Sequence, residues 1–365
     1  MKTRAAVAVA AHQDLEIREI EVDDPRPDEL RVKMVASGIC HTDAICRDQW
    51  YPVPLPVVLG HEGAGVVEAV GSQVKGFKEG DKVVLGPTHC GHCGNCLSGH
   101  PMYCEDFFRG NFAARRGDGS SAFSDANGGI GSHFFGQSSF AEHANVPATG
   151  AIPVADDAPL EILGPLGCGI MTGSGSVLNV LRPEPGSSLA IFGTGAVGLA
   201  GLLAAKAAGV TTLVMVDVVA QRLTLAHTLG ATHTVNAHDK DPVTAIRELT
   251  GGGVQYAMET TGIPAVFAQM TKSLAAMGHG AVVGAAKLGT DAPLDIGTLL
   301  PTGIRITFIA EGDSVPRQFI PRLLRLHRAG LFPFDQLIRR YPFADINQAF
   351  ADSAAGKTIK PVVIY

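Results

Sequence analysis

The sequence predicts an α/β protein of two domains, a mainly-β one followed by a doubly wound parallel sheet. Three observations carry this expectation. Residues 1–85 hold short alternating or β-branched runs separated by Pro and Gly turns, the pattern of strands. From Ser187 onward strand and helix patterns alternate, which predicts a parallel sheet covered by helices on both faces. The length of 365 residues also allows two to three folding units at roughly 150 residues each.

In the first part the strand candidates are LRVKMVA (30–36), GAGVVEAVG (63–71) and DKVVLG (81–86). The opening MKTRAAVAVAAH places Lys2 and Arg4 before small apolar residues, as a leader peptide does. Its apolar stretch is short, alanine-rich and runs straight into His12-Gln13-Asp14, so it reads as an opening strand. Residues 109–140 are polar, Gly/Ser-rich and weakly periodic, which predicts a long surface loop, ordered at least in part.

In the second part SLAIFGTG is followed by the helical AVGLAGLLAAKAAG, with Gly209 as its stop. Then come strand TTLVMVD (211–217), a helix over 220–229 closed by Gly230, and strand THTVNA. Asp241-Pro242 supplies a cap and a first-turn proline for a helix ending at Gly251. Strand VQYAMET, a helix over 264–276 and strand GAVVGA complete the series, and 315–365 reads as helix, short extended piece, helix and final strand. Residues 189–205 have the hydropathy of a membrane span but carry three glycines at G-x-G-x-x-G spacing, so a strand, tight turn and buried helix are expected instead.

Composition excludes several classes. With 46% apolar and 18% charged residues the chain has enough apolar surface to offset chain entropy, so it is not predominantly disordered. A net charge of −6 is wrong for a nucleic-acid partner, which needs a positive surface.

The seven cysteines are more specific. Cys90, Cys93, Cys96 and Cys104 form C-x2-C-x2-C-x7-C, too dense for a disulfide framework. Short C-x2-C loops let thiolates converge on one tetrahedral ion, and Gly91 and Gly94 let the backbone fold tightly around it. Reduced structural thiols or an iron–sulfur cluster are the alternatives to zinc; zinc is favoured because closed zinc sites often take four cysteines. Such a site has no free position, so it organises a loop and catalyses nothing. Oxidation would destroy it, which predicts a reducing, cytoplasmic setting.

Gly193, Gly195, Ala196, Val197 and Gly198 sit in a G-x-G-x-x-G turn between a predicted strand and helix. There the first Gly makes the turn, the second admits a pyrophosphate and the third lets helix pack on strand. Asp217 ends the next strand, where a carboxylate accepts hydrogen bonds from adenosine ribose hydroxyls and repels a 2′-phosphate. NAD is therefore expected over NADP, although Arg222, five residues on, weakens that preference. Cys40, His61 and Cys168 remain, each among glycines. Two thiolates and an imidazole leave a fourth zinc position open, as in catalytic sites. Spacing alone does not join three residues so far apart.

A resemblance joins them. GHEGAGVV (60–67), the four-cysteine loop, PLGCG (165–169), GTGAVG and GKTIKPVV (356–363) occur in the order and spacing of the zinc-dependent medium-chain alcohol dehydrogenases, which the chain resembles along its whole length. The resemblance implies a GroES-like catalytic domain over 1–169 with both zinc sites, a Rossmann NAD-binding domain over 170–311 and a C-terminal return to the catalytic domain over 312–365. It implies two zinc ions per subunit and NAD. Cys40, His61 and Cys168 become catalytic zinc ligands, Glu62 the carboxylate that exchanges with water on the metal, and Asp43 the acid orienting His61. Thr42 takes the place of the hydroxyl that accepts the alcohol proton; His41 and Lys360 take places near the cofactor pyrophosphate.

The chain also departs from the family. Ile45 stands where many relatives have a relay His, which predicts proton release through cofactor ribose hydroxyls and water or an unidentified group. His41 stands where many have Arg, which predicts looser NAD binding. Cys46 matches no ligand position and reads as a spare buried thiol.

Trp50 and Tyr51 in QWYPVPLP, with Phe134 and Phe135 in HFFGQSSF, suggest an apolar, aromatic-lined pocket for a small apolar alcohol or aldehyde. These blocks look closest to the aryl-alcohol and terpene-alcohol branch, which implies benzyl alcohol or geraniol type substrates. S-hydroxymethylglutathione or polyol oxidation, and a binding-only homologue without turnover, are the alternatives. Retention of 109–140 and the stretch GIRITFIAEG (303–312) favour a homodimer over a homotetramer.

Overall fold

The computed structural model describes all 365 residues, which divide into two units. The first comprises Met1–Cys168, Val315–Pro321 and Leu337–Tyr365; the second comprises Gly169–Ser314 and Arg322–Gln336. The division differs from the expected one at the C-terminal return, because residues 322–336 join the second unit. The helix Pro316–Arg328 thus belongs partly to each.

The first unit is mainly β. One five-stranded sheet runs in the order Val57–Val58, Lys2–Ala8, Glu16–Val22, Phe123–Asp125, Gly128–Ile130. The larger sheet centres on Glu29–Gly38, which pairs antiparallel with Gly63–Val70, His143–Pro147 and the closing strand Lys360–Ile364. Register is set on its buried side chains: Leu30 faces Val70 and Ser37 faces Gly63, with irregularities between. The core beneath includes Leu30, Val32, Val57, Val58, Leu59, Phe134 and Phe140, all essentially inaccessible. Gly60 has φ of 89°, and a Cβ there would collide with Phe140. Only glycine fits the turn that delivers His61.

The second unit is a six-stranded parallel sheet in the order His233–Asn236, Thr212–Asp217, Ser188–Phe192, Val254–Glu259, Leu274–Val282, Arg305–Phe308. Strand order reverses beside Ser188–Phe192, the switch point at which doubly wound sheets bind ligands. The intervening helices follow the expected punctuation. Asp241 accepts from the Thr244 N–H at 2.8 Å, and Gly230 and Gly251 close their helices at φ 116° and 71°. The expected helix over 264–276 stops at Ser273, because Leu274 already enters the next strand.

The segment 109–140 is surface loop only in part. It holds part of the helix Phe107–Phe112, two short strands and the 3-10 turn Phe134–Gly136, and residues 130–141 are all buried. Its polar residues misled because they are buried and paired. Asn111 bonds the Thr88 N–H and C=O at 3.0 Å each. Arg116 grips Glu29 at 2.7 Å and Asp23 at 2.6 Å, and His133 donates to or accepts from Ser132 and Glu29 at 2.8 and 2.9 Å. This network holds Glu29 well below the usual carboxylate range; burial opposes the shift, and Arg116 and His133 override it.

Candidate active site and metal centres

The first unit contains two clusters of metal-type donors. The Sγ atoms of Cys90, Cys93, Cys96 and Cys104 lie within 4.8 Å of one another. Gly91 at φ 77° and the helical turn Gly94–Leu97 fold the chain back so that successive thiols converge. Sulfur pairs at 3.9 and 4.0 Å are far beyond a disulfide bond of about 2.05 Å, so the four are free thiols. Backbone N–H groups of Cys90 and Cys93 point at sulfur at 3.3 Å, stabilising thiolate. The Cys93 thiol falls to about 6, chiefly through the backbone N–H of Glu105.

In the second cluster the donor atoms of Cys40, His61, Glu62 and Cys168 lie within 4.8 Å of one another. Cys40 caps the short helix His41–Arg47, and its N–H donates to Asp43 Oδ2 at 2.9 Å. Asp43 Oδ1 accepts from the Gly60 N–H at 3.0 Å and meets His61 Nδ1 at 2.9 Å. One buried carboxylate therefore fixes the ring, the turn before it and the first cysteine. Cys168 follows the turn Gly164–Gly167, where a Cβ on Gly164 would overlap the Glu62 carbonyl and one on Gly167 the Leu85 carbonyl. With Asp43 at Nδ1, the Nε2 of His61 is buried and has no hydrogen-bond partner. An orphaned imidazole nitrogen beside two thiols fits a divalent, nitrogen- and sulfur-loving ion.

The electrostatics agree. The Cys40 thiol is held well below its ordinary value by a hydrogen bond with Cys168, then by Lys360 and His61, against burial. Burial would lower the His61 pKa, but Asp43 and Cys40 raise it well above the usual imidazole range. Burial raises Glu62, opposed by Lys360.

The aromatic residues divide. Phe135 lies over the His61 ring at 4.6 Å, and Phe134 meets it edge-on at 5.6 Å. Phe134 is fully inaccessible, so it packs beneath the imidazole as core and does not line an open pocket. Trp50 is 42% exposed and meets His41, also exposed, edge-on at 6.4 Å. Tyr51 is half-buried against Phe112 at 5.9 Å. Thr42 Oγ1 lies 3.7 Å from Cys40 Sγ; Ile45 and Cys46 are buried in the same helix.

Lys360 opens the closing strand. The residue is 2% exposed, and its ammonium donates to both Glu62 carboxylate oxygens at 2.9 and 3.0 Å and to the Ile39 carbonyl at 3.1 Å. The strand Lys360–Ile364 pairs beside Gly38, which aims the side chain inward, where a buried carboxylate compensates its charge.

In the second unit Gly193 has φ of 98°, and Gly195 caps the helix Ala196–Ala207 with open space where its Cβ would be. A Cβ on Gly198 would overlap the Gly193 carbonyl, so helix and strand meet only through glycine. Ala196 and Val197 form the first turn, with unpaired N–H groups suited to phosphate. Asp217 accepts from the Thr194 N–H at 2.7 Å and Oγ1 at 2.5 Å and from Val218 and Val219 N–H at 2.7 and 2.9 Å. Those bonds keep it ionised despite burial. Arg222 lies on the next helix with its buried Nε unpartnered.

Two family models match, an alcohol dehydrogenase GroES-like domain over residues 26–156 and a zinc-binding dehydrogenase domain over 196–327. A geraniol dehydrogenase of Castellaniella defragrans is 45% identical over 367 residues, covering 100% of this chain and 98% of that protein. This chain is a zinc-dependent alcohol dehydrogenase by family. Among solved structures, an alcohol dehydrogenase zinc-binding domain protein from Burkholderia ambifaria superposes with a TM-score of 0.98 at 54% identity, covering 100% and 99% of the two chains. The benzyl alcohol dehydrogenase of Acinetobacter calcoaceticus gives 0.97 at 47% identity, with the same coverage.

As an alcohol dehydrogenase of this family the chain is an enzyme that acts on small alcohols with zinc and a nicotinamide dinucleotide. No helix is long and apolar enough to cross a membrane. Two features of this dehydrogenase were not read from its sequence. One is the buried Glu62–Lys360 pair, whose partners are 298 residues apart and carry no local signal. The other is Gln137, 1% exposed, which bonds the His61 carbonyl and the Gly63 N–H on either side of Glu62. A lone Gln in a polar stretch looks like solvated loop.

Proposed function

We propose that this enzyme oxidises a primary aromatic or allylic alcohol of the benzyl alcohol or geraniol type to its aldehyde, reversibly, passing hydride to NAD+. Cys40 and Cys168 Sγ and His61 Nε2 would hold the catalytic zinc, and the four cysteines of 90–104 a structural one. The observation that carries this reading is the buried, unpartnered His61 Nε2 within 4.8 Å of the Cys40 and Cys168 sulfurs.

Zinc, when bound, supplies a Lewis acid that brings the pKa of an alcohol hydroxyl toward neutrality. The chain supplies the rest. Asp43 fixes the His61 tautomer so that Nε2 presents its lone pair. Lys360 holds Glu62 as a carboxylate beside the donor set. The Thr42 hydroxyl, next to Cys40, is placed to take the alcohol proton. Ile45 carries no proton, so this position offers no relay, and a bound cofactor would supply ribose hydroxyls for proton release. Phe135 and its neighbours keep water from the His61 side, which strengthens every charge there.

Benzylic and allylic substrates are supported by the names of two full-length relatives at 45% and 47% identity and by the apolar, aromatic setting of Trp50, Tyr51 and Phe135. NAD+ is supported by the ionised Asp217 beside the glycine turn, which would repel a 2′-phosphate. His41, Arg222 and Lys360 are the basic side chains proposed for the cofactor. A homodimer is supported by the edge strand Arg305–Phe308 and the exposed Leu294, Ile296, Leu300 and Phe308 close to it in sequence. Seven free cysteines suit a reducing compartment such as the cytoplasm.

The test is oxidation of benzyl alcohol, cinnamyl alcohol, geraniol, ethanol and S-hydroxymethylglutathione side by side, with NAD+ and with NADP+. The proposal expects the highest kcat/KM for the first three with NAD+. Preference for ethanol or the glutathione adduct would overturn the substrate class.

A further inference from the structure

The turn Ser132–Phe140 is wrapped around the stretch that carries His61. The Phe140 N–H donates to the Leu59 carbonyl at 3.0 Å and the Ser139 N–H to the Gly60 carbonyl at 2.9 Å. Ser138 Oγ donates to the Val58 carbonyl at 2.6 Å. At the next positions the backbone bonds stop, and the Gln137 side chain replaces them. Its Oε1 accepts from the Gly63 N–H at 2.9 Å, and its Nε2 donates to the His61 carbonyl at 3.0 Å. The two partners fix the amide orientation, because an N–H requires the oxygen and a carbonyl requires the NH2.

The amide thus continues a ladder past His61 where the main chain cannot. The turn is costly to form: His133, Phe135, Gly136 and Ser138 all have positive φ, between 49° and 68°. It is held at its start by the bonds of His133 to Glu29 and Ser132. The same turn sets Phe135 on the His61 ring. Asp43 holds the His61 ring at Nδ1 and the Gly60 N–H before it, and Gln137 holds the peptide that follows.

We propose that Gln137 is a positioning residue for the catalytic metal, acting through the His61 carbonyl and the Gly63 N–H to fix the main chain that leaves His61 and so aim Nε2 at the Cys40 and Cys168 sulfurs. This rests on the reading of Cys40, His61 and Cys168 as the catalytic zinc ligands. Gln137 touches neither substrate nor metal. It keeps the donor set assembled, so its loss loosens zinc binding and alters the ligand field rather than cofactor binding.

The experiment compares the zinc-loaded wild type, Gln137→Met, Gln137→Glu and His61→Ala. The Met variant keeps the volume and removes both hydrogen bonds; the Glu variant keeps an acceptor for the Gly63 N–H. Zinc release to a chelator is followed for each metal, and cobalt is exchanged into the faster-releasing site for its absorption spectrum. In the wild type two zinc ions are expected, one of them absent from His61→Ala. Gln137→Met should release that ion about tenfold faster, the magnitude typical of lost ligand-supporting contacts. The four-cysteine zinc should leave at its wild-type rate, the cobalt bands should shift, and kcat should fall with KM for NAD+ unchanged. Gln137→Glu should fall between the two and carries the comparison if the Met variant does not fold.

A two-zinc wild type whose Gln137 variants show unchanged release and unchanged cobalt bands overturns the inference alone. A wild type with one zinc, indifferent to His61→Ala, overturns the reading of the site and this inference with it.

Discussion

The ammonium of Lys360 lies 2.9 and 3.0 Å from the two carboxylate oxygens of Glu62, with both side chains buried. Removing one partner strands a charge, which costs about 3–5 kcal/mol. Lys360→Met should therefore lower the urea-unfolding free energy by that order at pH 7, and adding Glu62→Gln should recover most of it. Burial already raises the Glu62 pKa, so the single variant should regain stability as pH falls and the carboxyl takes up a proton. Wild-type stability in Lys360→Met would show the pair to be without consequence.

Zinc uptake at the second cluster should weaken as pH falls. The raised His61 pKa means that the metal-free ring holds a proton more tightly than an ordinary imidazole, and zinc must compete with that proton. The sign for stability is opposite: a folded pKa above the unfolded value stabilises the metal-free protein below the unfolded value, and that gain is lost as pH rises through the folded one. Calorimetric zinc titration at several pH values should show proton release and an affinity that rises with pH. A flat affinity would mean a ligand other than His61.

Asp217 is ionised and held by Thr194, Val218 and Val219. Asp217→Ser removes the repulsion of a 2′-phosphate while Arg222 remains on the adjoining helix. The kcat/KM ratio of NADP+ to NAD+ should rise by about tenfold or more, or about 1.4 kcal/mol. An unchanged ratio would move cofactor choice to other residues.

Ile45 is buried in the helix that follows Cys40. Ile45→His introduces a titratable ring there, and the pH profile of kcat should acquire a changed acidic limb. The buried ring also costs stability, so the melting temperature should fall. An unchanged profile in a folded variant would count against a relay role for this position.

Most of the fold was legible because local chemistry and tertiary structure agree. Asp241, Pro242, Gly230 and Gly251 punctuate the second unit where the sequence places them, and the strand order follows from alternating βα units. The segment 109–140 was partly misread because its polarity serves burial: Asn111, Arg116 and His133 find partners 23, 87 and 104 residues away. Spacing linked the four cysteines of 90–104, but only a family resemblance linked Cys40, His61 and Cys168, which three separate turns bring together. The pairing of Lys360 with Glu62 was not legible because sequence does not report which way a strand residue points into a neighbouring sheet.

The central claim is a second metal ion held by Cys40, His61 and Cys168, and elemental analysis tests it most directly. The purified wild type should carry two zinc ions per chain, Cys40→Ser one with alcohol oxidation abolished, and Cys93→Ser one with the catalytic ion retained. A wild type with a single zinc, or a Cys40→Ser protein that keeps two, would contradict it.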